Sequence, residues 1–218
     1  NFITNFAGNI GTPAMIFYTV TTTGITLSIF IHYFAYAILM IGGFAIVGLI
    51  ILFLLKKDLS MELPPLILPN TGNMGIPICL FAYGTLGMGV AAAISSVVVL
   101  LHFTLNIFLA SKKFDISLIL KSPTSYAVLV AVIFLYFELD MPKVVLNTVM
   151  LLGYTMIVLV LMSLGISLTQ LKIFSFKNAL ISSVGRVIMG PLIGFALIKI
   201  FNLSGFAAGA LLIQSSMP

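Results

Sequence analysis

The chain has 218 residues, of which 61% are hydrophobic and 7% charged. A soluble domain is about a quarter charged, so about 55 charges would be expected at this length, against ten Lys and Arg and five Asp and Glu here. At about 20 residues per bilayer crossing, the roughly 133 hydrophobic side chains account for about six to seven spans, which excludes most soluble enzyme classes.

Taken in chain order, apolar stretches cover Phe2 to Val20, Ile31 to Leu55, Leu63 to Tyr83, Gly89 to Ala110, Pro123 to Phe137, Val144 to Leu168, Asn178 to Phe201 and Ser204 to the end. The fifth is short for a full span. The long ones are expected to be helices, because an open strand in lipid leaves its backbone unpaired, and the alternation of a membrane barrel is absent. Asn1 opens the chain and Ser216, Met217 and Pro218 close it inside an apolar run, so both ends read as cut. Cys79 is the only cysteine, and no paired Cys and His spacing suggests a metal or a cofactor. The net charge of +5 is scattered between apolar runs and forms no nucleic-acid patch.

The basic residues report topology instead. Lys56, Lys57, Lys112, Lys113, Lys121, Lys172 and Lys177 fall in connections on one side, and only Lys143 and Lys199 fall on the other. The positive-inside rule makes the Lys-rich side cytoplasmic, so the first stretch runs outward, and one further helix upstream would put the N-terminus outside. The five acidic residues, Asp58, Glu62, Asp115, Glu138 and Asp140, lie in or beside connections. No span therefore offers an obvious buried carboxylate for sodium or proton coupling. The membrane potential alone drives a monovalent anion outward with about 2.3 kcal/mol per 100 mV.

The third stretch contains Pro64, Pro65, Pro69, Asn70, Gly72, Asn73, Gly75 and Pro77. An interior proline costs a helix about 3 kcal/mol and a glycine up to about 1 kcal/mol. An interruption near Asn70 to Pro77 is expected, and broken helices of this kind hold the substrate sites of secondary transporters. The pattern Asn70-x-Gly72-Asn73-x-Gly75-x-Pro77 resembles the crossover signature of the auxin efflux carrier family, which includes the plant PIN carriers and many microbial permeases. Weaker similarities follow in the family's order: Asn9 to Phe17 with its second helix, Leu161 to Leu168 with its seventh, Arg186 to Gly194 with its eighth, and Gln214 to Pro218 with the start of its second crossover.

The resemblance implies an all-α integral membrane fold: a multi-span helical bundle of NhaA-like inverted five-helix repeats with two crossed broken helices. On that plan, residues 1–218 form a single transporter domain holding about seven and a half of ten spans, without the first helix, the end of the ninth and the tenth. It further implies a plasma-membrane carrier that moves small organic anions, carboxylates or auxin-like weak acids, outward by alternating access. The expected substrate-binding residues are Asn70, Gly72, Asn73, Gly75, Pro77, Met217 and Pro218. The asparagine amides would bind without burying a charge, and the glycines would let the backbone approach. A kinked structural helix is the bland alternative.

Arg186, inside the seventh stretch, is a candidate substrate counter-ion or cytoplasmic gate, against snorkelling to the interface. His102 and His32 read as packing residues or, less readily, proton-linked groups, and Cys79 as an apolar filler. Gly190-x-x-x-Gly194 and Gly205-x-x-x-Gly209 match the close-packing spacing of membrane helices. They read as internal contacts, with a homodimer left open. The rival readings are a cation-coupled importer of the bile-acid symporter type and a subunit of a membrane complex. An intramembrane enzyme lacks reactive groups with convincing spacing.

Overall fold

The computed structural model describes residues 2–111, 121–170 and 176–218. Lys112, Lys113, Asp115 and Lys172 lie outside them, and so does most of the connection that carries the first three. All regular elements among the described residues are helical.

Helix α1 comprises Phe2–Phe6, a π-helical turn Ala7–Gly11 and Thr12–Thr22, which follow without interruption. Helix α2 is Leu27–Leu54 and is capped by the Thr26 hydroxyl, which accepts the Ile29 amide at 3.3 Å. Helix α3, Leu59–Ile67, is only nine residues long and begins where the Asp58 carboxylate accepts the Ser60 amide at 2.7 Å. A second π-helical turn, Thr71–Gly75, leads into α4, Ile76–Ser111. Helix α4 is broken at Gly84, whose φ of 66° and ψ of −157° suit glycine alone. That corner separates the third and fourth apolar stretches of the sequence. The remaining helices are α5, Pro123–Phe137, α6, Lys143–Thr169, α7, Phe176–Ile200, and α8, Gly205–Ser216.

Among the described residues, the spans long and apolar enough to cross a bilayer are Leu27–Leu54, Leu59–His102, Lys143–Thr169 and Ala179–Ile200. Helix α5, with 15 residues, reaches only about 22 Å by helical rise. Large side chains such as Ile46, Phe53, Leu129, Leu151 and Leu192 stay exposed, as expected of faces turned to lipid.

The helices sort into two groups by contact. Helix α1 packs on α5 and α6, and also touches α4 across the boundary between the groups. Helices α2, α3, α4, α7 and α8 pack on one another around the broken segment. The second group is held by large fully buried side chains, Met40, Phe44, Leu66, Ile67 and Ile94 among them. Close backbone approaches make this packing possible. A Cβ on Gly190 would strike the Ser215 carbonyl, one on Gly194 the Ser215 hydroxyl, and one on Gly209 the Tyr83 ring. Gly190 and Gly194 thus pack α7 on α8 within the chain. Gly205 has φ +68° with open space beside it, so it serves the start of α8 and no helix contact.

Candidate functional site

The break in the third stretch occupies residues 68–70, so it begins two residues ahead of the range that the prolines suggested and meets it at Asn70, and the π turn Thr71–Gly75 lies within that range. Pro69 forbids the α conformation to the residue before it, and Leu68 is extended with φ −108° and ψ 94°. Beyond Asn70 the chain winds again as a π turn, in which the Gly75 amide donates to the Asn70 carbonyl at 3.2 Å. In an α-helix the Pro77 ring would clash with the Asn73 carbonyl, and the turn that precedes it here is π-wound. Pro77 is then the second residue of α4, where a missing amide is readily tolerated.

The broken segment meets the end of α8. The Asn70 amide donates to the Pro218 carbonyl at 2.7 Å, and Met217, the residue before Pro218, leaves the helix with φ −63° and ψ 143° as the proline requires. The two interruptions lie side by side. Gln214 is fully buried there, with its Nε2 donating to the Ala91 carbonyl at 3.5 Å and its side chain against Gly75.

Two cavities flank the break, both between the two helix groups. One, of about 270 Å³, is lined by Pro69, Asn70, Thr71, Gly72 and Asn73 from the break, by Val98, Val99 and His102 from α4, by Ala7, Gly8 and Thr12 from α1, and by Thr124 from α5. The other, of about 190 Å³, is lined by Asn70 and Asn73 again, with Ile3 and Ala7 from α1 and Val160, Ser163, Leu164 and Ser167 from α6. Asn70 and Asn73 are shared by both. Among the described residues, no Asp, Glu, Lys or Arg lines either cavity. Thr71 is 1% exposed and its hydroxyl has no hydrogen-bond partner among the described residues. The first turn of a helix also carries amides without intrahelical acceptors; the Thr71 amide donates to the Pro69 carbonyl at 2.8 Å, which leaves those of Gly72 and Asn73 in the helical run that becomes α4. The cavities therefore offer neutral donors. The walls come from the start of α1, the end of α6 and the beginning of α5, so both spaces lie toward the side of the α4–α5 and α6–α7 connections.

The expected site residues are thus distributed unevenly. Asn70, Gly72 and Asn73 face the cavities; Gly75 is buried against Gln214, Pro77 is buried in α4, and Met217 and Pro218 serve through their carbonyls. Arg186 is buried, with 4% exposure, and touches neither cavity. Its Nε donates to the Met217 carbonyl at 2.9 Å, its Nη2 to the Ser215 carbonyl at 2.9 Å and its Nη1 to the Leu66 carbonyl at 3.2 Å. His102 borders the larger cavity with Nδ1 3.0 Å from the Val98 carbonyl, whereas His32 is exposed near the start of α2. Cys79 is fully buried.

Thr12, Thr71 and Thr124 are lining residues that the sequence reading did not single out. A signal for the first was present: Gly8-Asn9-Ile10-Gly11-Thr12-Pro13 repeats the pattern of Gly72-Asn73-Met74-Gly75-Ile76-Pro77. Both hexapeptides form a π turn ahead of their proline, and both contribute to the larger cavity.

The membrane transport protein family matches residues 106–218, more than half of the chain. The chain belongs to this family. The match includes α5 to α8, and hence Arg186 and the second interruption. An uncharacterized transporter of Methanocaldococcus jannaschii, MJ1031, is 28% identical over 161 residues, which are 69% of this chain and 52% of that relative. The chain thus spans about half the length of the curated relative it matches. As a member of the membrane transport protein family, the chain is a multi-pass helical membrane protein, and the crossover resemblance agrees with that membership.

Proposed function

We propose that residues 1–218 form a single transporter domain of a secondary carrier for small organic anions, carboxylates or auxin-like weak acids, working outward across the plasma membrane with the Lys-rich connections cytoplasmic. The observation that carries this reading is the sharing of Asn70 and Asn73 by two cavities between the helix groups. A substrate carboxylate accepts hydrogen bonds from these amides, from the Thr71 hydroxyl and from the first-turn amides of the segment leading into α4. That helix end carries about half a positive elementary charge. Neutral donors suit a site that must stand empty during part of the cycle, since an unpaired buried charge would cost far more than an amide. Movement of the group containing the break against α1, α5 and α6 exposes Asn70 and Asn73 to one side of the membrane and then to the other. With the Lys-rich connections taken as cytoplasmic, the position of both cavities supports an inward-facing state.

The test is flux of labelled organic acids in proteoliposomes carrying the full-length protein, with and without Asn70→Ala and Asn73→Ala together. The wild type transports at least one such acid, and the double variant remains inserted and folded but loses flux by on the order of a hundredfold, two lost hydrogen bonds to a charged group. Undiminished flux in the variant refutes the site. Absence of flux for every acid in the wild type refutes the substrate class.

A further inference from the structure

Two helix C-termini converge on Arg186. Leu66 belongs to the last turn of α3, Ser215 to the last turn of α8, and Met217 follows that helix directly. Their carbonyls lie in the set of four that a helix leaves without an internal donor. Each end carries about half a negative elementary charge, so the pair presents on the order of one unit of negative charge. The Arg186 guanidinium bonds one of these carbonyls through each of its nitrogens, and its carbon lies 4.2 Å from the centre of the Phe44 ring. One positive charge, nearly sealed from solvent, thus offsets two dipole ends.

In carriers with broken helices, unwound carbonyls and half-helix C-terminal ends are where a coupling sodium ion or proton is held. We propose that Arg186 is a tethered counter-cation filling that position, so that the transport cycle needs no sodium, and that removing its charge creates a site for a cation from solution. A guanidinium anchored to α7 cannot leave between half-cycles. It also fixes α3, α7 and α8 as one body, so both interruptions move together. Arg186 is therefore a positioning residue that acts through the backbone of the crossover and not through contact with the substrate. The inference rests on the carrier reading above, but its first test does not need a known substrate.

The full-length protein is purified as wild type, Arg186→Gln and Arg186→Lys, and thermal unfolding is followed in choline chloride with millimolar sodium chloride or guanidinium chloride added. The wild type should unfold at the same temperature in all three. Arg186→Gln should unfold earlier in choline and recover, saturably, with guanidinium or sodium, as expected for a ligand that binds the folded state. Arg186→Lys keeps a charge and should show a smaller loss without a cation response. A sodium-dependent shift in the wild type overturns the proposal, as does an Arg186→Gln protein that is indifferent to both cations or too unstable to purify even with guanidinium present throughout. Flux supplies the second arm: wild-type flux is equal in sodium and choline, while Arg186→Gln flux in choline falls by on the order of tenfold or more and is restored by the added cation. If the wild type moves no organic acid, the carrier reading fails while the thermal result still decides the role of Arg186.

Discussion

Gly190→Ala tests whether the approach of α7 to α8 holds the crossover together. Alanine is favoured over glycine inside a helix by about 1 kcal/mol, so without neighbours the substitution would stabilise. A Cβ at 190 meets the Ser215 carbonyl, with the Ser215 carbonyl carbon and Ser216 Cα both at 3.2 Å. These are backbone atoms that cannot rotate away, and overpacking of that kind costs about 1–3 kcal/mol. The same Ser215 oxygen accepts the Arg186 Nη2 bond at 2.9 Å. Displacing it weakens a hydrogen bond from a charged donor worth about 1.5–3 kcal/mol. Subtracting the propensity gain leaves a net destabilisation of about 1.5–5 kcal/mol. Gly42→Ala is the internal control, since Gly42 lies within α2 and an added Cβ there meets nothing within 4 Å. It should stabilise by up to about 1 kcal/mol. The comparison is made on the full-length protein by denaturation in mixed detergent and SDS micelles. If Gly190→Ala unfolds no more readily than Gly42→Ala, the close contact of α7 and α8 does not exist as described.

Two further substitutions address the site and the corner beside it. Thr71→Val removes a buried hydroxyl that has no partner and should leave the empty protein as stable or more so by about 1 kcal/mol while raising the KM for the anion; a less stable variant with unchanged KM would show that the hydroxyl serves the fold. Gly84→Ala should destabilise by about 1–3 kcal/mol through backbone strain alone, because no atom lies within 4 Å of the added Cβ, and unchanged denaturation would contradict the corner between the arms of α4.

The spans were legible because lipid imposes one rule on every residue they contain. Seven of the apolar stretches coincide with helices to within a few residues, and the third divides into α3, the π turn and the first arm of α4. The position of the break was less legible. Proline density centres on 64–77, yet Pro64 and Pro65 sit inside α3. Only Pro69 acts with full force, because it restricts Leu68 where no π turn relieves the clash. A count of prolines cannot distinguish these cases, since the outcome depends on the winding of the preceding residues.

The site was legible where it is written in a contiguous motif and obscure where it depends on convergence. Asn70, Gly72 and Asn73 carry a local signature, and they do face the cavities. Thr124 comes from the second residue of α5, a position at which threonine is unexceptional, and only the fold brings it beside the break. Arg186 was legible as a costly charge, but the same cost supports opposite roles. A counter-ion to substrate needs donors directed at a cavity, whereas all three of its nitrogens bond to carbonyls of the interrupted helices. The crossover thus divides two electrostatic tasks. The C-terminal ends of α3 and α8 are met by a residue of α7, and under the proposed function the positive end of the helical run entered at Thr71 is the one that receives the anion. A site built this way has no need of a buried carboxylate, which accounts for the confinement of the described acidic residues Asp58, Glu62, Glu138 and Asp140 to the helix ends and connections.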